Sequence, residues 1–319
     1  MDLSLVVPVY NEEENLPLLF DALHAALDAT PLSWELILVD DGSTDGSPAA
    51  LKTLAERDPA HVRLVLFRRN FGQTAAIAAG IDHSSGERVV LLDADLQNDP
   101  ADIPLLLEKL DEGYDVVSGW RKDRKDAWLT RTLPSNAANW LISNVTGVHL
   151  HDYGCTLKAY RREALSGFRL YGEMHRFIPV FAHSVGARIA ELPVRHHPRR
   201  FGKAKYGLER TVKVVLDLFT VKYLLAYSSK PIYLFGGAGM ALIAFSFLTL
   251  LLLLVRRLWV GTPVLTSPFF IIGVMFAILG FQSILMGLIA EMLVRTYHES
   301  QEKPTYRVRE TVGFPPKSE

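Results

Sequence analysis

Cysteine is almost absent from this 319-residue chain: Cys155 stands alone. One thiol excludes an intrachain disulfide and a cysteine-rich zinc site, and nothing then requires an oxidising compartment. A surplus of charge is missing too. Lys and Arg number 34 against 35 Asp and Glu, so the chain as a whole makes no electrostatic case for nucleic acid. His196 and His197 have no other His or Cys at metal-ligand spacing and read as loop residues. The N-terminus, "MDLSLVVPVY", lacks the basic and apolar regions of a signal peptide. There is no internal repeat and no low-complexity tract.

Long apolar runs, in contrast, are present. Residues 232–255, "IYLFGGAGMALIAFSFLTLLLLLV", carry no charge, and 268–294, "PFFIIGVMFAILGFQSILMGLIAEMLV", carry only Glu291 near the end. At about 1.5 Å per residue each helix spans the roughly 30 Å of a hydrocarbon core. The alternative, a pair of buried core helices, fits such long uncharged runs less well. The short loop between them holds Arg256 and Arg257. The flanks hold Arg210, Lys213, Lys222 and Lys230 on one side and Arg295, Lys303, Arg307 and Arg309 on the other. The positive-inside bias therefore puts both termini in the cytosol. The expected plan is a cytosolic domain over 1–207, an amphipathic interfacial helix or soluble linker helix over 208–230, and a two-helix hairpin over 231–295. A tail over 296–319, with Pro304, Pro315 and Pro316, is expected to be loosely structured.

Residues 1–118 alternate between two patterns. "LSLVVPVY", "WELILVDD", "HVRLVLF", "RVVLLDAD" and "YDVVSG" are apolar throughout, as strands buried on both faces are. Helical stretches separate them, the first with Asn11 as its expected cap and Glu12, Glu13 and Glu14 in its first turn. Later strands are expected at "GCTLKAY" and "RIAELPVRH", around a helix near "RFIPVFAHSVG". This repetition predicts an α/β fold, a mostly parallel sheet with helices on both faces, whose ligands bind beyond the carboxyl ends of the strands. Acidic residues gather there: Asp40 and Asp41 after the second strand, Asp93 and Asp95 after the fourth. Two carboxylates followed by Gln97 make a hard-oxygen set suited to Mg²⁺ or Mn²⁺, completed by phosphate oxygens and water. An Asp- and Pro-rich surface turn is the plainer reading of "DADLQNDP" alone.

The ordered set narrows the choice. "VVPVYNEEENL", "LVDDGSTDGS", "LLDADLQNDP", "YDVVSGWR", "DYGCTLKAYRRE", "MHRFIPV" and "RRFGKAKYG", followed by two apolar runs, resemble the family 2 glycosyltransferases of GT-A fold. Within them the chain is similar to the polyprenyl-phosphate branch, which includes dolichol-phosphate mannosyltransferases and enzymes that put glucose or formylated aminoarabinose on undecaprenyl phosphate. The resemblance covers residues 3–295. It implies that Pro8, Tyr10, Glu12, Asp40, Asp93 and Ala94 line the nucleotide pocket, and that Asp95 and Gln97 hold a Mg²⁺ or Mn²⁺ ion. Asp41 is expected to order its turn. By the same resemblance Arg121, Arg176, Arg199 and Lys205 are expected to meet phosphates, and Asp95, Asp152 and Arg199 are the expected catalytic positions, with Asp152 at the acceptor side as an orienting group or weak base. For Tyr10 and Glu12 an ordinary cap and first turn, for Arg121 a solvated loop charge, for Asp152 a strand-start residue, and for Arg199 and Lys205 a lipid-facing basic segment stay open as alternatives. Ala204 stands where the family's basic motif carries a small hydroxyl residue. The resemblance further implies a UDP-sugar donor, a polyprenyl phosphate acceptor, the inner membrane and a homo-oligomer, a tetramer in relatives. A different lipid acceptor such as diacylglycerol, or a non-catalytic nucleotide- or lipid-binding module, are the competing readings. The Q-x-x-R-W motif of processive polysaccharide synthases is missing. Cys155 reads as buried packing.

Overall fold

The apolar runs of the first 120 residues do become strands. In the computed structural model, which describes residues 1–122, 133–166, 170, 174–198, 201, 218, 221, 231–300 and 308–312, β1 is Leu3–Val9, β2 Trp34–Asp40, β3 Val62–Phe67 and β4 Arg88–Leu91. Nearly every residue in them is buried, because helices cover both faces. β5 (Val116–Trp120), β6 (Lys158–Arg161), β7 (Ile189–Pro193) and β8 (Val308–Val312) complete one sheet in the order β7-β5-β6-β4-β1-β2-β3-β8. β1 to β4 are mutually parallel, and β6 and β8 run antiparallel to their neighbours.

The helices are α1 (Leu16–Leu27), α2 (Ser47–Arg57), α3 (Gln73–His83), α4 (Ile103–Asp111), α5 (Leu133–Thr146) and α6 (Ile178–Ser184). Along β1, Leu3, Leu5, Val7 and Val9 join one core with α1, α2 and α4, through residues such as Leu19, Leu54 and Leu106. Val6 points the other way, under α3. The Ala-rich α3 lies so close there that a Cβ on Gly80 would sit 2.2 Å from Val6 Cγ1.

Two expectations are corrected. Asn11 does not cap α1, and Glu12–Glu14 are not its first turn. The helix starts at Leu16, with Pro17 in its opening turn, where a missing N–H is harmless. Asn11 instead adopts φ 52°, and its Oδ1 accepts from Thr44 N at 2.8 Å. Asn11 N and Glu12 N donate to Ser43 Oγ and Ser47 Oγ, both at 2.9 Å. The stretch is tied to the loop after β2, which competes successfully with helix propagation. The tail is not all loose either, because Val308–Val312 adds β8 to the edge of β3 and supplies its open hydrogen bonds.

Residues 222–303 form a second unit, and 1–221 with 304–319 the first. In the second, α7 (Pro231–Val260) and α8 (Pro268–Ser300) contain apolar segments of 28 and 23 residues, long enough to cross a membrane. The two helices touch through small residues. A Cβ on Gly239 would lie 2.6 Å from Gly280 O, and one on Gly280 2.7 Å from Gly239 O. Ser246 Oγ donates to Gly273 O (2.6 Å) and Ser283 Oγ to Phe235 O (2.8 Å). The interfacial helix expected over 208–230 lies outside the described residues, apart from residues 218 and 221, which are helical.

Candidate active site

Parallel pairing sets the ends of β1, β2 and β4 at one level. Val9 lies opposite Asp40, and Val6 opposite Leu91, so Asp93 falls beside Pro8. Asp40 is buried, and both its oxygens accept from Ser43 N at 3.3 Å. Burial pushes its pKa up. Asp41 turns the other way and accepts from Phe71 N (2.7 Å) and Gly72 N (3.0 Å). Burial raises its pKa to about 6, against those two backbone donors. Gly42 follows with φ +70°, and a Cβ there would sit 2.4 Å from the Arg69 carbonyl carbon. Only glycine fits a left-handed turn pressed this closely on another backbone segment.

Beyond β4, Asp93 is held from two sides. Gln73 Nε2 donates to one oxygen at 2.8 Å and Thr156 Oγ1 to the other at 2.7 Å. The antiparallel register, Leu91 opposite Lys158, makes Thr156 level with Asp93. Burial, then the charge of nearby Asp95, raises the Asp93 pKa to about 6. Leu96 takes φ 57°, closing a tight turn in which buried Asp95 Oδ1 accepts from Gln97 N at 3.1 Å. The side-chain amide of Gln97 bonds to no described residue and is half-buried. The stretch leading into the basic loop is fastened to the same turn. His197 N donates to Gln97 O at 2.8 Å, His196 bridges Asn98, and Arg195 pairs with Asp102 (2.7 Å) and Asp99 (3.1 Å).

At the end of β5, Arg121 forks onto Asp152, Nε at 2.7 Å and Nη2 at 3.0 Å. Burial works against the guanidinium charge, but the Asp152 bonds and charge outweigh it and raise its pKa. Beneath lies buried Lys158, whose Nζ donates to the carbonyls of Tyr153 and Cys155. Burial lowers its pKa. The Cys155 thiol is fully buried and pushed up to about 11 by that burial, so it is packing and no nucleophile. His175 is buried against Thr74 Oγ1 at 2.8 Å, and burial, then Arg176, hold it neutral.

The family model of glycosyl transferase family 2 matches residues 4–168, which contain the strand-end residues after β1, β2, β4 and β5. This chain belongs to glycosyl transferase family 2. The transferase is 44% identical over 313 residues to a dodecaprenyl-phosphate galacturonate synthase of Rhizobium johnstonii, covering 97% of this chain and 93% of that one. It is 40% identical over 310 residues to an undecaprenyl-phosphate 4-deoxy-4-formamido-L-arabinose transferase of Edwardsiella ictaluri, covering 97% and 94%. Among solved structures it is similar to glucosyl-3-phosphoglycerate synthase from Mycobacterium tuberculosis in complex with Mn²⁺ and UDP-glucose. There the TM-score is 0.52 at 22% identity, over 69% of this chain and 78% of the other. That likeness shows the fold, the GT-A arrangement of a mostly parallel sheet.

In the transferase, Pro8, Asp40, Asp93, Ala94, Asp95 and Gln97 come together at the carboxyl edge of the sheet. Tyr10 and Glu12 sit on the adjoining loop, Glu12 Oε2 accepting from Asn15 Nδ2 at 2.7 Å. Arg121 and Asp152, expected in separate roles, hold each other. Arg176 lies near enough to Lys158 and His175 to add to the lowering of both. Arg199 and Lys205 lie outside the described residues. Sequence reasoning missed Gln73, Thr156 and Lys158. The "TLK" of the expected strand, read in antiparallel register with β4, is the signal that places the last two. Among the described residues no group of three or more His, Cys, Asp or Glu is poised to hold a metal. The donor set at the turn is one carboxylate and one amide, with Asp93 already taken by two donors. That set fits a hard cation that takes most of its ligands from phosphate and water.

Proposed function

We propose that this protein transfers a sugar from a nucleotide diphosphate sugar, a UDP-sugar, to a polyprenyl phosphate such as undecaprenyl phosphate, at the cytosolic face of a bacterial inner membrane. The observation that carries this reading is the full-length likeness to two prenyl-phosphate sugar enzymes. Coverage of 97% of this chain leaves no room to omit either apolar C-terminal helix. A domain with a nucleotide-type site and a membrane hairpin suits a reaction between a soluble donor and a lipid acceptor. The strand β8 supports the hairpin topology. It follows α8 yet lies in the same sheet as β1, so the chain returns to the side it left, as two crossings require.

In this reading Pro8, Tyr10, Glu12, Asp40, Asp93 and Ala94 bind the nucleoside. Asp93, fixed by Gln73 and Thr156, is set for a polar contact to the donor. Asp95 and Gln97 hold Mg²⁺ or Mn²⁺, which when bound supplies positive charge to the departing diphosphate. Arg176, Arg199 and Lys205 bring cations to the place where two anions must meet, Arg as a bidentate fork and Lys as a point charge. The lipid phosphate oxygen attacks the anomeric carbon in line, with inversion. Its second pKa, about 6, leaves it ionised at neutral pH, so no strong general base is needed. Asp152 then acts through Arg121, holding the guanidinium at the end of β5, and not as a proton acceptor.

The test is nucleotide release by the purified full chain with undecaprenyl phosphate, Mn²⁺ and a panel of UDP- and GDP-sugars, with chelator and diacylglycerol arms. Release that requires a UDP-sugar, undecaprenyl phosphate and metal is expected. Transfer to diacylglycerol in place of the prenyl phosphate would overturn the acceptor, and full activity in chelator the metal.

A further inference from the structure

Glu191 lies on β7, at the edge of the sheet, yet its side chain is only 12% exposed. Among the described residues no Lys or Arg pairs with it. Its carboxylate is turned instead onto two consecutive backbone N–H groups. Oε1 accepts from His151 N at 2.9 Å and from Asp152 N at 3.1 Å, and Oε2 lies 2.6 Å from His151 Nδ1. His151 and Asp152 belong to no helix or strand, so no ladder holds their N–H groups. A charged acceptor makes bonds about twice as strong as a neutral one.

What is fastened there reaches the site at two points. The Asp152 carboxylate takes Arg121 in its fork, and a Cβ on Gly154 would sit 3.1 Å from Arg121 Nη2, so the loop packs directly on the guanidinium. Four residues beyond Asp152, Thr156 Oγ1 donates to Asp93. His151 also ties back to the strand that carries Arg121. Its ring stacks on Trp120, the residue before Arg121, with centroids 4.3 Å apart and planes 20° from parallel. β5 and β7 pair in parallel with Ser118 opposite Glu191, and alternation puts Trp120 on the face of Ser118 and Glu191. Residues 120–121 and 151–152 are thus locked pair by pair, Trp120 on His151 and Arg121 on Asp152, while Glu191 holds His151 and Asp152 together. From α5, Asn139 Nδ2 donates to His151 O at 2.7 Å. With that tie left, the segment shifts without Glu191 and does not come free.

We propose that Glu191 is a positioning residue of the sugar transfer: by clamping His151 and Asp152 it sets where the Arg121 guanidinium stands at the phosphates. The proposal rests on the reading of this chain as a transferase of sugar to prenyl phosphate, and its test separates the two. Nucleotide release by the purified full chain is measured with saturating undecaprenyl phosphate and the panel of UDP- and GDP-sugars, beside Tm. Glu191→Ala should lower kcat about tenfold or more, since a misplacement of about 1 Å can cost about a hundredfold. Glu191→Gln keeps the reach of Oε1 to both N–H groups and loses the charge; it should retain most of the turnover. Glu191→Asp keeps the charge but is too short by a methylene, and should fall as far as the Ala variant. The Gln and Asp variants decide the matter even where the Ala variant does not fold. Glu191→Ala added to Arg121→Met should cost little more than Arg121→Met alone, because the one acts through the other. A residue that only stabilises the fold would lower Tm, leave the kcat of the folded fraction unchanged and add its effect to that of Arg121→Met. Wild-type kcat in Glu191→Ala, a Glu191→Asp variant faster than Glu191→Gln, or additive losses with Arg121→Met would overturn the role. A wild type that releases no nucleotide from any donor of the panel would overturn the transfer reading itself, and this role with it.

Discussion

Asp152→Asn tests whether the Asp152 carboxylate works as a base or as the anchor of Arg121. The pair is well shielded: the side chains are 3% and 14% exposed, and the Nε bond is 2.7 Å. Removing the charge leaves a buried guanidinium without its counter-ion. Breaking a buried pair from one side costs about 3–5 kcal/mol, which agrees with losing two charge-assisted bonds at about 1.5–3 kcal/mol each. For a domain of this size 1 kcal/mol moves Tm by about 2–4 °C, so a fall of roughly 10 °C is expected in thermal unfolding of the detergent-solubilised chain. Arg121→Met should cost a similar amount, leaving the Asp152 carboxylate stranded. Asp152→Asn with Arg121→Met should cost less than the sum of the two, because neither partner is then left charged and alone. Turnover should follow the same pattern, falling for either single substitution and little further for the double. Additive losses in Tm, or a single Asp152→Asn variant with wild-type Tm and turnover reduced a thousandfold, would refute the anchoring role and restore a general base.

Asp95→Asn should cut turnover about a hundredfold or more, the scale for losing one electrostatic stabiliser, with Tm little changed, since the residue lies beyond β4; near wild-type turnover in Mn²⁺ would remove it from the metal site. Gly42→Ala should destabilise by about 2 kcal/mol or more, since a Cβ there would sit 2.4 Å from the Arg69 carbonyl carbon at φ +70°, and a shift in Tm under about 1 °C would contradict the packing. Asp41 has a folded pKa near 6, above the 3.8 of an ordinary carboxyl, so the folded state binds its proton more tightly. The stability this gives is whole below about pH 4 and is lost as pH rises to about 6; Asp41→Asn should flatten that slope in Tm measured across the window. A cysteine at Thr262, between the two apolar helices, should react with an impermeant thiol reagent applied outside cells, and one at Ser318 should not; the reverse pattern would invert the topology.

The central strands were legible because burial on both faces leaves mostly apolar residues, a pattern that needs no partner to recognise. Asp40 and Asp93 were legible for the same reason, as the first charges after such runs. What escaped depends on pairing between distant segments. Thr156 and Gln73 meet Asp93 only through the β4–β6 register and the start of α3, and neither position has a local signature. Asn11 followed by three glutamates has the composition of a helix start, yet Ser43 and Ser47, over 30 residues away, take its backbone N–H groups. Val308–Val312 sits among prolines and charges, and only the open edge of β3 makes it a strand. Arg121 and Asp152 were each picked out, but their pairing was not, since 31 residues separate them.

The strand β8 also sets an order of events during synthesis. β3 leaves the ribosome with its outer edge unpaired, and its partner is made roughly 240 residues later, after both apolar helices. At about 5–20 residues per second that is an interval of roughly 10–50 seconds during which Leu64 and Leu66 lie on an open edge. The sheet therefore closes only once the hairpin has been translated. A chain interrupted anywhere before residue 308 keeps that edge of β3 open to pairing with another strand.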